Sequence, residues 1–149
     1  MRKAYTKRGD SGFTRDRSGR RLPKDHPSIL RVGQADSLQS AVGLALLTAR
    51  GKTRAMLREV RDGLWKDASP RDLARLETFI DSLGEPPQGF IRFTGLRALR
   101  YDECRVRCRQ LESACAPLLR SGRMKPAAYA WLNRLSSLFF MLAVRASRR

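Results

Sequence analysis

An all-α fold, a bundle of five helices behind an ordered N-terminal loop, is what this sequence predicts, and three observations carry that prediction. Apolar residues recur at three- and four-residue spacing over five separate stretches. Glycine or proline punctuates the chain between those stretches, where helices stop or start. No stretch alternates apolar and polar residues with the period of two that a half-buried strand needs.

Each element follows in order. Residues 1 to 24 read as a loop, because Gly9, Gly12 and Gly19 interrupt any helix and charged residues fill the gaps. A first helix is predicted from about Asp25 to Arg50, with Ile29, Val32, Leu38, Val42 and Leu46 as its apolar stripe and Gly51 as its stop. A second runs from Thr53 to Asp67 with Met56, Leu57, Val60 and Leu64 inward. Ser69-Pro70-Arg71-Asp72 is a helix start: serine caps, proline suits the first turn, and aspartate suits the positive helix end. Leu73, Leu76, Phe79, Ile80 and Leu83 form the third stripe, which Gly84 ends. Pro86 and Pro87 open a loop through Phe90, Ile91, Phe93 and Gly95. The fourth helix is predicted from about Leu96 to Leu119. The fifth starts near Pro126 and carries Leu132, Leu135, Phe139 and Leu142.

A length of 149 residues predicts one domain, residues 1–149, and 42% hydrophobic residues suffice for a core. No run approaches twenty apolar residues, and the run Leu138 to Val144 is short and sits beside Arg145, so no membrane span is expected. Met1-Arg2-Lys3-Ala4 leads into polar sequence rather than an apolar signal core, and the expected location is cytoplasmic. The net charge of +17, from 31 Lys+Arg against 14 Asp+Glu, favours polyanionic partners: a nucleoside triphosphate, nucleic acid or an anionic surface. The densest basic run precedes residue 32, where ten basic residues face three acidic ones. Arginine dominates, and its planar fork suits phosphate.

Cys104, Cys108 and Cys115 fall at i, i+4 and i+11, near one face of a helix. They read as small core residues. A metal site would want a fourth ligand, and the only histidine, His26, is distant in sequence. His26 itself is read as an exposed residue at a helix start. Trp65 and Trp131 read as packing residues, and Arg134, Arg145, Arg148 and Arg149 as solvated charges.

The segment richest in chemistry is Tyr5-Thr6-Lys7-Arg8-Gly9-Asp10-Ser11-Gly12-Phe13-Thr14. Two glycines three apart allow a tight turn that aims N–H groups at an anion, the threonines add hydroxyl donors, and Lys24 follows downstream. The GxxxxGK[ST] spacing of a Walker loop is absent. By residue chemistry alone the segment is either a phosphate-binding loop or a plain basic loop.

The order of several motifs goes further. The N-terminal stretch resembles the T-x-x-G-D-x-G-x-T signature of PduO-type ATP:cob(I)alamin adenosyltransferases. Arg21-Leu22-Pro23-Lys24-Asp25 is similar to that family's R-x-x-K-D, and Gly33-Gln34-Ala35-Asp36-Ser37-Leu38-Gln39-Ser40 to its G-x-x-D-E-L-N-S. Phe90-Ile91 sits where the family has F-I-L-P-G-G. Cys104-Arg105-Val106-Arg107-Cys108-Arg109 resembles C-R-R-A-E-R. Trp131-Leu132-Asn133-Arg134-Leu135-Ser136-Ser137-Leu138-Phe139-Phe140 follows Y-L-N-R-L-S-D-x-L-F. The blocks stand in the family's order and span nearly the whole chain.

The resemblance implies a five-helix bundle that trimerises, with sites between subunits that move the 5′-deoxyadenosyl group of ATP onto the cobalt of cob(I)alamin and release triphosphate. It implies that Thr6, Lys7, Arg8 and Gly9 wrap the nucleotide, with Thr14 and Arg15 further along the loop. Lys24 would neutralise phosphate, Arg105 and Arg109 would hold the triphosphate, and Asn133 would hold the nucleotide; Lys24 and Arg105 are the catalytic candidates. Asp36 and Phe90 fall on the corrinoid side, Phe90 as an apolar ring beneath the corrin. Mg²⁺ would accompany ATP, with no ligands from the protein alone. A hand-off of product to a cobalamin-dependent enzyme is a further implied partnership.

Departures from the pattern are specific. The family's D-E-L-N has become Asp36-Ser37-Leu38-Gln39; Val106 and Cys108 replace an arginine and a glutamate; Ser137 replaces an aspartate. The loop between Phe90 and Cys104 is short and lacks a second glycine, and the family arginine that pairs with the aspartate at position 36 falls near Arg100 or Tyr101. Two readings follow: a working adenosyltransferase, or a homologue that keeps the bundle and ATP binding without corrinoid chemistry. Asn133 has a plainer alternative as a hydrogen-bonding group inside the bundle. A third reading, a basic helical protein that binds nucleic acid, rests on +17 alone and leaves the ordered motifs unexplained.

Overall fold

The computed structural model describes residues 3–147. Arg148 and Arg149 lie outside the described residues. Five helices follow a two-stranded hairpin: β1 (Phe13–Arg15), β2 (Arg21–Pro23), α1 (Pro27–Leu46), α2 (Gly51–Gly63), α3 (Pro70–Asp81), α4 (Leu96–Arg120) and α5 (Pro126–Ser147). The five-helix prediction therefore holds. Packing runs in the order α2, α1, α4, α5, α3, with α4 and α5 at the centre.

The hairpin corrects the reading of residues 1 to 24 as loop throughout. β1 and β2 pair antiparallel, Phe13 with Pro23, Thr14 with Leu22 and Arg15 with Arg21. Three residues per strand are too few to show alternation. Backbone bonds from Gly19 N to Asp16 O (2.9 Å) and from Asp16 N to Arg20 O (3.0 Å) close the turn, and a side chain reinforces them. The Asp16 carboxylate accepts from Ser18 N (2.9 Å), Ser18 Oγ (2.6 Å), Arg20 N (3.0 Å) and Arg20 Nε (3.0 Å). These bonds, the Ser18 hydroxyl first, hold its carboxyl down at about 2. Gly19, at φ 83°, supplies the left-handed step of the turn.

His26 is the N-cap of α1 rather than an idle exposed residue: its Nδ1 accepts from Ser28 N at 3.2 Å, and it is half-buried. Pro27 takes the first helical position. α1 stops at Leu46, and Gly51 does not end it; at φ 54°, Gly51 opens α2 instead. Val32 is 42% exposed, not inward. The six-residue step from Val32 to Leu38 departs from three-four spacing and turns Val32 onto another face. α3 begins as predicted, with a capping box in which Asp72 N donates to Ser69 Oγ (3.2 Å) and Ser69 N to Asp72 Oδ2 (2.8 Å). Only Leu76 of its stripe is fully buried, while Leu73, Phe79, Ile80 and Leu83 are partly covered.

The core joins Leu38, Leu57, Leu111, Leu135, Leu138 and Phe139, all without solvent contact or nearly so. Each such side chain contributes roughly 1.5–3 kcal/mol of burial. Cys104, Cys108 and Cys115 are free and buried in it, and Cys108 Sγ donates to the Leu132 carbonyl at 3.2 Å. Burial pushes the Cys104 thiol up to about 12 and raises those of Cys108 and Cys115. Among the described residues no group of three or more His, Cys, Asp or Glu could hold a metal ion. By length and composition α5 could cross a membrane, at a mean hydropathy of 1.2 over its apolar window. That composition was not anticipated from the run Leu138–Val144, and in the bundle it serves as core: ten residues of α5 are buried.

Candidate functional site

The N-terminal segment folds back on itself. Asp10 N donates to Lys7 O and Gly12 N to Gly9 O, both at 3.2 Å, and Lys24 N donates to Gly12 O at 2.9 Å. Lys7 takes φ 58°, the single non-glycine residue in the left-handed region among those described. The last bond brings Lys24 beside Gly9, so closely that a Cβ on Gly9 would lie 3.0 Å from Lys24 Nζ. Thr6, Arg8, Gly9, Phe13, Thr14, Arg15 and Arg21 line a hollow of about 470 Å³, with no carboxylate among them. Arg21 stacks on Phe13 at 4.2 Å, and Arg15 Nη1 donates to Gly19 O at 2.7 Å, so the hairpin fixes two of the cations. Arg17 lies 5.7 Å from the centre of the Trp65 ring, whose Nε1 donates to Gln39 Oε1. That contact ties the loop to the bundle.

A second cationic region lies on α4. Arg105 Nε meets Asp102 Oδ1 at 2.7 Å, and Arg109 follows one turn later, exposed. Both arginines border two hollows. One, of about 400 Å³, also holds Asp81, Ser137 and Phe140; the other, of about 500 Å³, holds Gln34 of α1. Neither shares a residue with the N-terminal hollow. Within one chain, therefore, the predicted residues fall into two groups.

Asn133 joins neither hollow. Its Nδ2 donates to Glu112 Oε1 at 2.8 Å and its Oδ1 accepts from Arg134 Nη1 at 3.0 Å, while Arg134 Nε reaches Glu77 Oε1 at 2.8 Å. Both ends of the amide are thus engaged in a network linking α3, α4 and α5. Arg134 is accordingly paired, not simply solvated. Asp36 is exposed on α1 without an ion pair among the described residues. Of the two positions proposed to supply its arginine, Arg100 donates to Leu44 O at 3.3 Å and Tyr101 is buried. Phe90 is 96% exposed, while Phe93 in the same segment stacks edge-on against Phe140 at 5.8 Å. The segment is pinned by one phenylalanine and presents the other.

Arg107 escaped the sequence reading. Its Nη1 donates to Ser37 Oγ at 2.9 Å, and its Nε pairs with Glu103 at 2.7 Å. An arginine at the family pattern's alanine thus meets the serine that stands in for its glutamate. The two departures, at positions 37 and 107, are one contact across α1 and α4.

The cobalamin adenosyltransferase family model matches residues 4–146. The mouse corrinoid adenosyltransferase MMAB is 34% identical over 179 aligned positions, covering 99% of this chain and 73% of its own length. The human MMAB is likewise 34% identical, covering 99% and 70%. The PduO corrinoid adenosyltransferase of Salmonella typhimurium is 27% identical, covering 93% of this chain and 48% of its own. Alignments longer than the 149-residue chain mean that gaps separate the matched blocks. A PduO-type ATP:corrinoid adenosyltransferase variant from Lactobacillus reuteri, solved with cobalamin and ATP, superposes with a TM-score of 0.83 at 25% identity, covering 98% of this chain and 91% of that one. A second variant of that enzyme, solved with ATP, gives 0.81 at 26% identity, covering 97% and 94%. This chain belongs to the cobalamin adenosyltransferase family.

Proposed function

We propose that this chain transfers the 5′-deoxyadenosyl group of ATP to the cobalt of cob(I)alamin or a related corrinoid, releasing triphosphate. The observation that carries the reading is the carboxylate-free hollow built by the T-x-x-G-D-x-G-x-T segment, with Lys24 folded against Gly9. In the reaction the cobalt electron pair forms a bond to C5′ as the C5′–oxygen bond breaks, and that bonding pair leaves with the triphosphate. The protein needs no nucleophile of its own. Its task is to hold and neutralise a leaving group of several negative charges.

Thr6, Lys7, Arg8, Gly9, Thr14 and Arg15 would hold the nucleotide, and Lys24, Arg105 and Arg109 the triphosphate. Arg105 is already oriented by Asp102. The separation of the two cationic groups within one chain supports a homotrimer in which the loop of one subunit meets α4 of the next. Residues 1–24 then form the nucleotide loop and 25–149 the bundle of one domain. Asn133 would reach the nucleotide only by giving up a bond to Glu112 or Arg134. Phe90, exposed at the end of the bundle, would lie beneath the corrin and exclude water, with Asp36 on the same substrate. Mg²⁺ would arrive on the phosphate oxygens of ATP. Cytoplasmic location and product hand-off to a cobalamin-dependent enzyme belong to the same proposal.

Purified protein mixed with MgATP and anaerobically reduced cobalamin should develop the visible spectrum of a cobalt–carbon bond, above a protein-free control. ATP binding without that spectrum would overturn the proposal in favour of a nucleotide-binding homologue.

A further inference from the structure

A cleft of about 330 Å³ opens where the start of α2, the end of α3, the start of α4 and the end of α5 meet. Lys52, Arg97 and Arg145 line it, and no carboxylate does. Arg145 Nη1 donates to the Leu83 carbonyl at 3.2 Å, which fixes that guanidinium at the rim. α2 begins here with its first-turn N–H groups uncapped: Arg50 at the N-cap makes no side-chain bond, and the first turn holds no acidic residue. Tyr101 forms part of the wall. Its ring is buried, the residue being 3% exposed, while its hydroxyl keeps contact with solvent and makes no hydrogen bond among the described residues. A hydroxyl free at the surface of a cationic cleft can donate to a ligand oxygen. Burial raises its phenol, and the neighbouring Arg97 charge opposes that rise.

Three cations, a helix N-terminus and an unpartnered hydroxyl converge on one cleft, and the chemistry that satisfies all of them is a phosphate group. Phe79, Leu83 and Leu142 supply an apolar wall for the organic part of such a ligand. We propose that this cleft is a second anion site, binding a small organic phosphate separately from the N-terminal loop. Leu83 and Arg97 bracket the segment that carries Phe90, so a ligand here joins the two ends of that segment.

Phenyl phosphate titrated calorimetrically into the full chain, in chloride buffer, tests the site. Saturable binding is expected, with phenol failing to bind. Arg97→Gln and Arg145→Gln should each weaken binding roughly tenfold or more, the effect of losing one charge-assisted bond. Tyr101→Phe, which removes only the hydroxyl, should weaken it less and leave the fold intact. Lys24→Ala should leave it unchanged. Absence of saturable binding, binding that survives Arg97→Gln together with Arg145→Gln in a Lys24→Ala background that disables the loop site, or binding lost in Lys24→Ala alone would overturn the proposal.

Discussion

The ammonium of Lys24 occupies the space that a side chain on Gly9 would need, with Nζ 3.0 Å and Cε 3.3 Å from the Cβ position. Gly9 is not in the left-handed region, so its smallness serves the lysine rather than the backbone. Gly9→Ala should displace the flexible end of Lys24 and cost the fold little. The expected result is a raised KM for ATP at an unchanged melting temperature. A fall in melting temperature with ATP binding intact would contradict this.

If loop and α4 meet across subunits, two inactive variants should complement each other. Lys24→Ala and Arg105→Ala should each abolish adenosylation. Unfolded together and refolded, they should regain activity in about a quarter of the sites, as random mixing in a cyclic trimer requires. Sites built within one chain would stay silent in the mixture.

The buried thiols set an alkaline limit. Cys104 is raised from an ordinary 9.0 to about 12, so the unfolded chain ionises first as pH rises. Stability from this group is intact below about pH 9 and is lost progressively toward pH 12, which denaturant midpoints across that range would register. At pH 8 a thiol reagent should modify the three cysteines only as the protein unfolds.

Phe139 has no solvent contact and sits where α5 packs against its neighbours. Phe139→Ala should cost about 3–5 kcal/mol. In a chain of this size that lowers the melting temperature by roughly 10 °C. A shift of only a degree or two would mean that the core repacks around the lost ring.

The five helices were legible because long stripes such as Leu132, Leu135, Phe139 and Leu142 repeat the helical period several times. The hairpin was not, since its order comes from backbone bonds across the turn and the Asp16 carboxylate reaching to Ser18 and Arg20 rather than from any pattern within three-residue strands. His26 as a cap was missed because histidine seldom takes that place. In the candidate site the loop was marked by local glycine spacing. The Ser37–Arg107 contact joins residues seventy apart, and no local spacing signals a pairing of that kind. The engagement of Asn133 with Glu112 and Arg134 was open as an alternative and needed three helices in place to be seen.

The most direct test of adenosyl transfer is the phosphate product of a single anaerobic turnover with ATP and cob(I)alamin. The account predicts intact triphosphate in equal amount to adenosylcobalamin. Release of ADP and phosphate, or bound ATP with no cobalt–carbon bond formed, would contradict it.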